Sequence, residues 1–415
     1  MAQAIKMSLP AGIEKIKTYH WMMFIICFLG NVFGGTTSTL MSLYLPVAVR
    51  DLLLGGDQFN EVSAYINSAF ILGWAMGGMA LGMLSDRIGR PMAIFLSIVC
   101  YAAFTLSTGL ANTWPWVIAF RFASGFGVGG ALVTTPTLLS EVLPDRTKSI
   151  FIGILSIGFP IGIFSAGALD LFVTNWRQAF LIGFLPLGLS VLSLWVLRES
   201  EKWKSTPIQL MGAKEKWRTL FGKEHARDLV VGSIQFGTML IGLWAIFSWM
   251  PTWVQSLLTA SDGQTERGLS MMLLGAGGIL GGFFSGWLAN AIGLRKSMMI
   301  CFAGCMVMSF LLFKITTTFS VIIYVEIACL SLFFGASQGV LSAYIPQIFP
   351  SNIRATATGF CFNVGRLVTV VIVFFVGALV IALGGYGNAI FIFSLMFLVG
   401  LISIFFSKEV KMQVE

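Results

Sequence analysis

The nine residues Gly82-Met-Leu-Ser-Asp-Arg-Ile-Gly-Arg90 decide how this chain folds, because they place a group of charges between two long apolar stretches. Residues 61–84 form a mostly apolar run that ends just before these charges, and residues 91–111 form the apolar run that follows them. A helix of about 20 apolar residues crosses the hydrocarbon core of a bilayer. The segment therefore predicts a short loop between two membrane-spanning helices.

The composition extends this interpretation to the whole chain. Of the 415 residues, 57% are hydrophobic and 11% are charged, whereas a soluble domain carries about a quarter charged residues. Lys and Arg exceed Asp and Glu by 26 to 18, but they fall in short clusters between apolar runs and form no extended basic surface. We therefore expect an integral membrane protein, surrounded by lipid, that binds no nucleic acid. The six cysteines lie in apolar runs without a metal-binding pattern, so no metal is expected.

Apolar runs separated by charged or Gly/Pro-rich breaks predict twelve helical spans. The spans are residues 19–45, 61–84, 91–111, 115–140, 149–171, 178–197, 228–257, 268–289, 297–316, 319–345, 355–382 and 388–407. The one long hydrophilic stretch separates them into two sets of six. The predicted domains are an N-terminal tail 1–18, a six-helix bundle 19–198, a linker 199–227, a second six-helix bundle 228–407 and a C-terminal tail 408–415.

The basic residues predict the orientation of the spans. Of the 26 Lys and Arg, 20 lie on one side of the predicted membrane, 4 on the other, and Arg121 and Arg366 lie within spans. Cytoplasmic loops carry the excess of Lys and Arg. We therefore expect both termini and the linker in the cytoplasm. Short loops and the lack of an N-x-[ST] acceptor fit a bacterial inner membrane.

The two halves of the sequence repeat each other. The segment that begins at Gly82 recurs at Gly286, 204 residues later, and the segment Glu141-Val-Leu-Pro144 recurs 206 residues later as Gln347-Ile-Phe-Pro350. Both copies of the second segment have a basic residue seven positions after the first residue. Internal repeats of this kind are common in transporters. The repeats predict a chain built from two related units.

These motifs resemble the major facilitator superfamily of secondary transporters. Residues 82–90 match its GxLxDRxGR loop, residues 121–130 are similar to its RxxxGxGxG signature, and residues 141–148 are similar to the motif of its sugar, organic-ion and aromatic-acid branches. Residues 363–366, Asn-Val-Gly-Arg, look most like proton symporters of aromatic acids, sialic acid and other monocarboxylates. The first span departs from those symporters, with Asn31 in a stretch where they usually carry an Asp.

The resemblance implies an all-α membrane fold, in which twelve transmembrane helices form two pseudo-symmetric six-helix bundles. It further implies transport by alternating access, with no cofactor and no catalytic residue. The sequence agrees with the absence of enzymatic function, since its two histidines, His20 and His225, lie at a span edge and in the linker. It also lacks a GxxxxGK[ST] nucleotide-binding loop, which excludes an ATP-driven pump within this chain.

Three ionisable residues lie deep inside predicted spans: Arg121, Glu326 and Arg366. Such residues are costly in a membrane and are functional candidates by default. Arg366 lies roughly 20 Å inside its span, near the midplane. Its fork of donors suits a carboxylate, so we predict that it binds a small organic anion. The alternative is a structural arginine that is satisfied by neighbouring carbonyl groups.

Glu326 is the predicted proton-coupling or gating residue, because a buried carboxyl group can exchange a proton during transport. The helical rise places it at the same depth as Arg121. The two are predicted to form an ion pair that closes the outer side of the cavity, or else a permanent pair that neutralises Arg121. Asp170 and Glu61 stand at outer ends of spans, where interfacial placement is the simpler interpretation.

Further polar and aromatic residues at mid-depth complete the prediction of the site. The other substrate-binding candidates, beside Arg366 and Arg121, are Asn31, Gln235, Asn363, Tyr324 and Trp244. A cytoplasmic gate is predicted from charged residues that would hold the two halves together and separate on inward opening. Its members are Asp86, Arg87, Arg90, Glu141, Arg146, Lys148 and Arg354.

The function that the sequence favours is proton-coupled symport of a small organic carboxylate anion, carried out by a monomer whose partners are the anion, protons and lipid. A proton-driven drug exporter is an alternative, because residues 158–162 loosely resemble the antiporter signature GPxxGG. A facilitative sugar carrier and a non-transporting receptor are further alternatives. The embedded arginines count against the sugar carrier.

Overall fold

A computed structural model describes residues 16–53, 56, 58–200, 220–258, 263–350 and 353–407. Within these residues, twelve helices are long and apolar enough to cross a membrane. The predicted C-terminal tail, most of the N-terminal tail and most of the linker lie outside the described residues. The predicted all-helical fold with twelve spans is confirmed.

The helices follow the predicted spans in order. They are α1 (Thr18–Leu53), α2 (Phe59–Ile88), α3 (Arg90–Leu110), α4 (Trp114–Val142), α5 (Asp145–Phe172), α6 (Trp176–Val196), α7 (Lys223–Ser256), α8 (Gln264–Ile292), α9 (Leu294–Ile315), α10 (Ile322–Gln347), α11 (Arg354–Ala382) and α12 (Tyr386–Phe405). Several extend past the apolar run. The first helix continues to Leu53, because a helix can extend into residues beyond the apolar run.

The two copies of the repeated loop form the same turn. Gly89 connects α2 to α3 with φ 93°, and Gly293 connects α8 to α9 with φ 87°. Residues with a side chain rarely adopt such a positive φ, whereas glycine does so readily. The repeat predicted from sequence is therefore a repeat of backbone geometry, which lets each pair of helices reverse direction within one residue.

Glycines allow the helices of each half to pack closely. A Cβ atom on Gly73 or on Gly77 of α2 would lie 1.9 Å from a carbonyl oxygen of α4, that of Phe122 or Phe126. Gly125 and Gly129 of α4 approach α2 in the same way. Small residues at this spacing permit backbone contact between membrane helices. The glycines of the RxxxGxGxG segment thus form a packing seam within the first half.

The two halves, α1–α6 and α7–α12, meet mainly where α2 packs on α11, α5 on α8, and α1 on α7. The chain of helices begins and ends on the same side of the molecule, because their number is even. We call this side, which carries Thr18 and Phe405, the near face, and the opposite side the far face.

Candidate functional site

Arg366 lies in the middle of α11, at the boundary between the two halves. The central carbon of its guanidinium lies over two rings, 4.4 Å from the ring centroid of Phe362 and 4.7 Å from that of Trp74 in the first half. The residue is only 5% exposed. It forms no ion pair with a carboxylate among the described residues. The two rings hold the guanidinium by cation–π contacts, and its N–H donors suit an anionic ligand.

Gly78 of α2 leaves room for the guanidinium on the side of the first half. A Cβ at this position would lie 3.6 Å from Nη1 of Arg366, so a larger side chain would occupy the space beside the guanidinium. Arg366 and Gly78 belong to different halves. The site is therefore built across the plane along which the halves meet.

An aromatic cluster surrounds the arginine. The ring of Trp74 packs edge-on against that of Trp244, with a centroid distance of 5.0 Å, and Phe159 packs against both. Trp244, a substrate-binding candidate from the sequence, thus stands next to the residue that contacts Arg366. Buried Nε1 of Trp74 has no hydrogen-bond partner in the described part of the chain. Such a donor is available to a ligand.

Trp74 is absent from the residues that the sequence identified. It lies among the glycines of α2, between Gly73 and Gly77, where the pattern indicates only helix packing. The sequence signal that could have identified Trp74 is its position in the middle of the predicted span 61–84. A large aromatic residue with a polar atom lies there at mid-depth.

Gln235 of α7 is a second polar group at mid-depth without a partner. It is fully buried, and neither its Oε1 nor its Nε2 has a hydrogen-bond partner among the described residues. Gly237 and Gly365 bring α7 and α11 into backbone contact near this position. Buried amides without partners are rare. Gln235 therefore remains a candidate for contact with a ligand or with water.

The other predicted substrate-binding residues are distributed differently. Asn31 is buried in the first half, where its Oδ1 accepts a hydrogen bond from Thr135 Oγ1 at 3.0 Å. Asn363 donates from Nδ2 to the carbonyl of Gly359 on its own helix. Tyr324 lies near the far end of α10 and packs against Phe319. The structure does not bring Tyr324 to the level of Arg366.

Arg121 is bound within the first half. Its guanidinium lies 4.0 Å from the centroid of Phe70 and donates to the carbonyl oxygens of Thr37 and Ser38, at 2.9 and 3.3 Å. These contacts attach α4 to α1. The arrangement that the sequence offered as an alternative for Arg366, an arginine satisfied by carbonyls, is found at Arg121.

Glu326 does not join Arg121. It is half-buried in the second turn of α10, and its Oε2 accepts a hydrogen bond from Thr316 Oγ1 at 3.2 Å. The position that repeats Arg121 after 206 residues is Ile327, which is fully buried. One residue turns a helix by about 100°. Glu326 therefore faces a different side of its helix from the position that repeats Arg121. No ion pair joins Glu326 and Arg121, although the sequence places them at equal depth.

The interfacial interpretation of Asp170 is wrong. Asp170, near the far end of α5, is fully buried and faces Arg267 of α8 in the second half. Contact between the two halves encloses it, which the sequence of one helix does not reveal. Glu61, by contrast, is exposed at the start of α2.

The predicted gate residues at the near face centre on Arg90. Its Nη1 bonds Asp86 at 2.9 Å, and its Nη2 bonds Glu141 at 3.1 Å. Glu141 also accepts a hydrogen bond from Ser200 Oγ at 2.8 Å. Asp86, Arg90 and Glu141 belong to the first half, and Ser200 lies at the start of the linker. The cluster therefore joins α2, α3 and α4 to the chain that follows α6.

The remaining gate residues make fewer described contacts. Arg87 is exposed, Lys148 is half-buried, and the exposed Arg354 donates to the carbonyl of Phe349 at 3.3 Å. The side chain of Arg146 lies outside the described part of the structure. Next to the cluster, burial raises the pKa of the Glu199 carboxyl, although Arg90 opposes the shift.

Residues 26–371 match the family model of the Major Facilitator Superfamily, and the chain belongs to this family. It is an integral membrane transporter and not an enzyme. The predicted resemblance is confirmed.

Known relatives align over most of the chain. The niacin transporter NiaP of Acinetobacter baylyi is 26% identical over 94% of this chain and 95% of its own length. The gallate transporter of Pseudomonas putida is 26% identical over 85% of this chain and 83% of its own length. The solved structure of the xylose transporter XylE from E. coli has a TM-score of 0.80 at 16% identity, and the match covers 95% of this chain and 98% of that one.

Proposed function

We propose that the protein is a proton-coupled symporter of small aromatic carboxylate anions, and that Arg366 binds the carboxylate. The observation that carries the proposal is a buried guanidinium where the halves meet, in contact with two rings and without a carboxylate partner among the described residues. An unpaired buried cation is costly, and an anionic ligand offsets that cost. Arginine also matches a carboxylate in geometry.

The aromatic cluster supports an aromatic substrate. Trp74, Trp244 and Phe159 provide ring surface beside the guanidinium, and Trp74 Nε1 provides a further donor. Niacin and gallate, which name two of the relatives, are both aromatic carboxylic acids. A ring that packs on this cluster while its carboxylate bonds Arg366 would contact both halves at once. Binding would then favour their closure around the substrate.

The near face is proposed to be cytoplasmic, because it carries the excess of Lys and Arg. The proposal also places the protein as a monomer in the inner membrane of a bacterium. Proton coupling requires a group that gains and loses a proton as the halves move. Glu326 is the candidate that the sequence identified, although its described hydrogen bond connects it to Thr316 and not to the arginines.

Uptake into proteoliposomes tests the substrate class. Niacin, gallate and benzoate are offered under an inward proton gradient, with xylose and a cationic dye as comparison compounds, and internal pH is followed, because symport of one proton with one monovalent anion moves no net charge. Arg366→Lys is expected to lower the affinity for the acids by at least about tenfold, since Lys keeps the charge but not the bidentate fork. Arg50→Lys, at an exposed position on the far face, is the control.

Three results would contradict the proposal: unchanged affinity in Arg366→Lys, transport of only the dye or the sugar, or acid binding without flux. Glu326→Gln tests the assignment of the proton separately. Loss of proton-driven accumulation with retained exchange of the acid supports Glu326, whereas normal accumulation removes it from the mechanism.

A further inference from the structure

Asp170 and Arg267 form a buried ion pair between the two halves. Asp170 lies near the end of α5, Arg267 lies in the first turn of α8, and Nε of the arginine is 4.0 Å from Oδ2 of the aspartate. The side chains are 0% and 3% exposed. Both positions lie at the far face. We call these two residues the far-face pair.

Polar neighbours from three helices hold the far-face pair. Nη1 of Arg267 donates to Oε1 of Gln255 in α7, and Nε2 of Gln264 donates to the backbone carbonyl of Asp170. Tyr44 of α1 interacts with Asp170 and donates its hydroxyl to the carbonyl of Val173 at 2.6 Å. The hydrogen bond from Gln264 crosses between the halves in addition to the ion pair.

The backbones of α5 and α8 touch beside the far-face pair. A Cβ on Gly167 would lie 2.6 Å from the carbonyl oxygen of Gly268, and a Cβ on Gly268 would lie 2.9 Å from that of Gly167. Gly263, which directly precedes α8, has φ 68°, and a Cβ there would lie 2.4 Å from Oε1 of Gln255. The glycines at 167 and 268 thus let the two halves close tightly beside the pair.

Basic residues at the near face make a different kind of contact. Arg90 bonds acidic residues of its own half, and Arg295 donates to the carbonyls of Ile404 and Phe405 in its own half. Such contacts persist when two rigid halves rotate against each other. The contacts of the far-face pair cannot persist, because its members belong to different halves.

We propose that Asp170 and Arg267 are gating residues, which hold the far face closed and separate when the cavity opens to that side. The far-face pair is buried only while the halves are in contact, so opening exchanges the ion pair for water. Removal of one member leaves the other charge buried without its partner, which is more unfavourable than removal of both. The proposal rests on alternating access and is independent of the substrate.

Distance measurements between spin labels test this proposal without a substrate. Thr113→Cys in the loop before α4 and Thr318→Cys in the loop before α10 place labels on exposed far-face positions of the two halves, in a background without the six native cysteines. Double electron–electron resonance in lipid nanodiscs then reports the fraction of molecules with a separated far face. Unlabelled samples of each variant are checked for folding by thermal unfolding.

Arg267→Gln is expected to raise the ratio of open to closed far face by at least about tenfold, because it leaves the Asp170 carboxylate buried without its charge partner. Asp170→Asn shifts the ratio in the same direction, and the double variant Asp170→Asn/Arg267→Gln returns part of the way to the parent protein. The control is Asp51→Asn, which breaks an ion pair with Arg177 within the first half at the same face. It is expected to leave the distances unchanged.

The proposal is overturned if Arg267→Gln and Asp170→Asn give the distances of the parent protein, or if Asp51→Asn shifts them equally. It is also overturned if the double variant opens further than Arg267→Gln. Where a single variant does not fold, the double variant and Gln264→Ala decide the question, since each still removes a contact between the halves. An unchanged distance in both of these contradicts the gating role. A failed transport assay would affect the proposed substrate but not this result.

Discussion

The far face and the near face of this transporter contain similar residue types in opposite arrangements. At the far face, the halves are joined by the Asp170–Arg267 pair and by a hydrogen bond of 2.6 Å from the hydroxyl of Tyr386 to Oδ1 of Asn60. At the near face, Arg90 bonds Glu141 within one half. The structure is that of a transporter closed at the far face.

The comparison shows that the role of an ion pair depends on whether its two residues belong to the same half or to different halves. A pair within one half stabilises that half in every state, so it has little influence on which side is open. A pair between halves differs in free energy between the two states and can shift their populations. Arg87 and Arg90 at the near face belong to the family's GxLxDRxGR motif, whereas the far-face pair lies outside the motifs at residues 82–90, 121–130 and 141–148.

The largest expected effect follows from filling the glycine contact at the far face. A leucine at Gly167 would place its Cβ 2.6 Å from the carbonyl oxygen of Gly268 and 2.7 Å from the amide nitrogen of Met272. Gly167→Leu should therefore prevent closure of this face and reduce uptake by more than about tenfold, since overpacking a close contact costs about 1–3 kcal/mol or more.

Gly188→Leu serves as the control for that variant, because nothing lies within 4 Å of a Cβ at this position of α6. Its uptake should equal that of the parent protein. Normal uptake in Gly167→Leu would show that contact between α5 and α8 is not required for transport, and the comparison of the two faces would lose its main support.

Substitutions in the near-face cluster around Arg90 are expected to have a smaller effect. They should change the stability of the protein more than the ratio of open to closed far face. Glu141→Gln should lower the free energy of unfolding by about 1–3 kcal/mol, because Arg90 and Ser200 lose a charged partner. Asp86→Asn should cost less than about 1 kcal/mol, since the side chain of Asp86 is 69% exposed. Thermal unfolding of both variants in one detergent measures the difference.

Equal destabilisation by these two variants would contradict the central position of Glu141 in the cluster. A changed far-face distance in Glu141→Gln, measured with the labels described above, would contradict the view that the cluster acts within one half.

The smallest expected effect is that of a single hydrogen bond between the halves. Tyr386→Phe removes the bond to Asn60 and should weaken the closed far face by about 1 kcal/mol, a shift of roughly fivefold in the open-to-closed ratio. Tyr65→Phe keeps the ring that stacks on Phe374 at 5.2 Å across the same interface, so it is the matched control. An equal shift in both variants would mean that the hydroxyl of Tyr386 is not the cause.

Much of the fold was predictable because apolar runs and turn glycines can be interpreted from the local sequence alone. The twelve spans and the repeat of the turn at Gly89 and Gly293 follow from apolar length and from motifs that recur after 204 residues. Arg366 was also identifiable from the sequence as a candidate site residue, since a charge at the midplane of a span is conspicuous.

The parts that were not predictable depend on rotation about a helix axis and on the opposite half. Counting residues placed Glu326 and Arg121 at one depth, but their side chains have different partners. The same counting placed Asp170 at the end of a span, although α8 buries it. Trp74 lies among packing glycines in the sequence, and only the position of α11 shows that its ring contacts Arg366.

The sequence by itself determined that the chain is a membrane protein with twelve helices in two related halves. This follows because backbone polar groups in a bilayer must be satisfied within the segment, so each long apolar run becomes a helix. Only the tertiary structure decided which charges meet across the halves and which stay within one. The depth of a residue along a helix follows from its residue number. The direction in which its side chain faces, and the contact between the two halves, arise from the packing of whole helices, to which every span contributes.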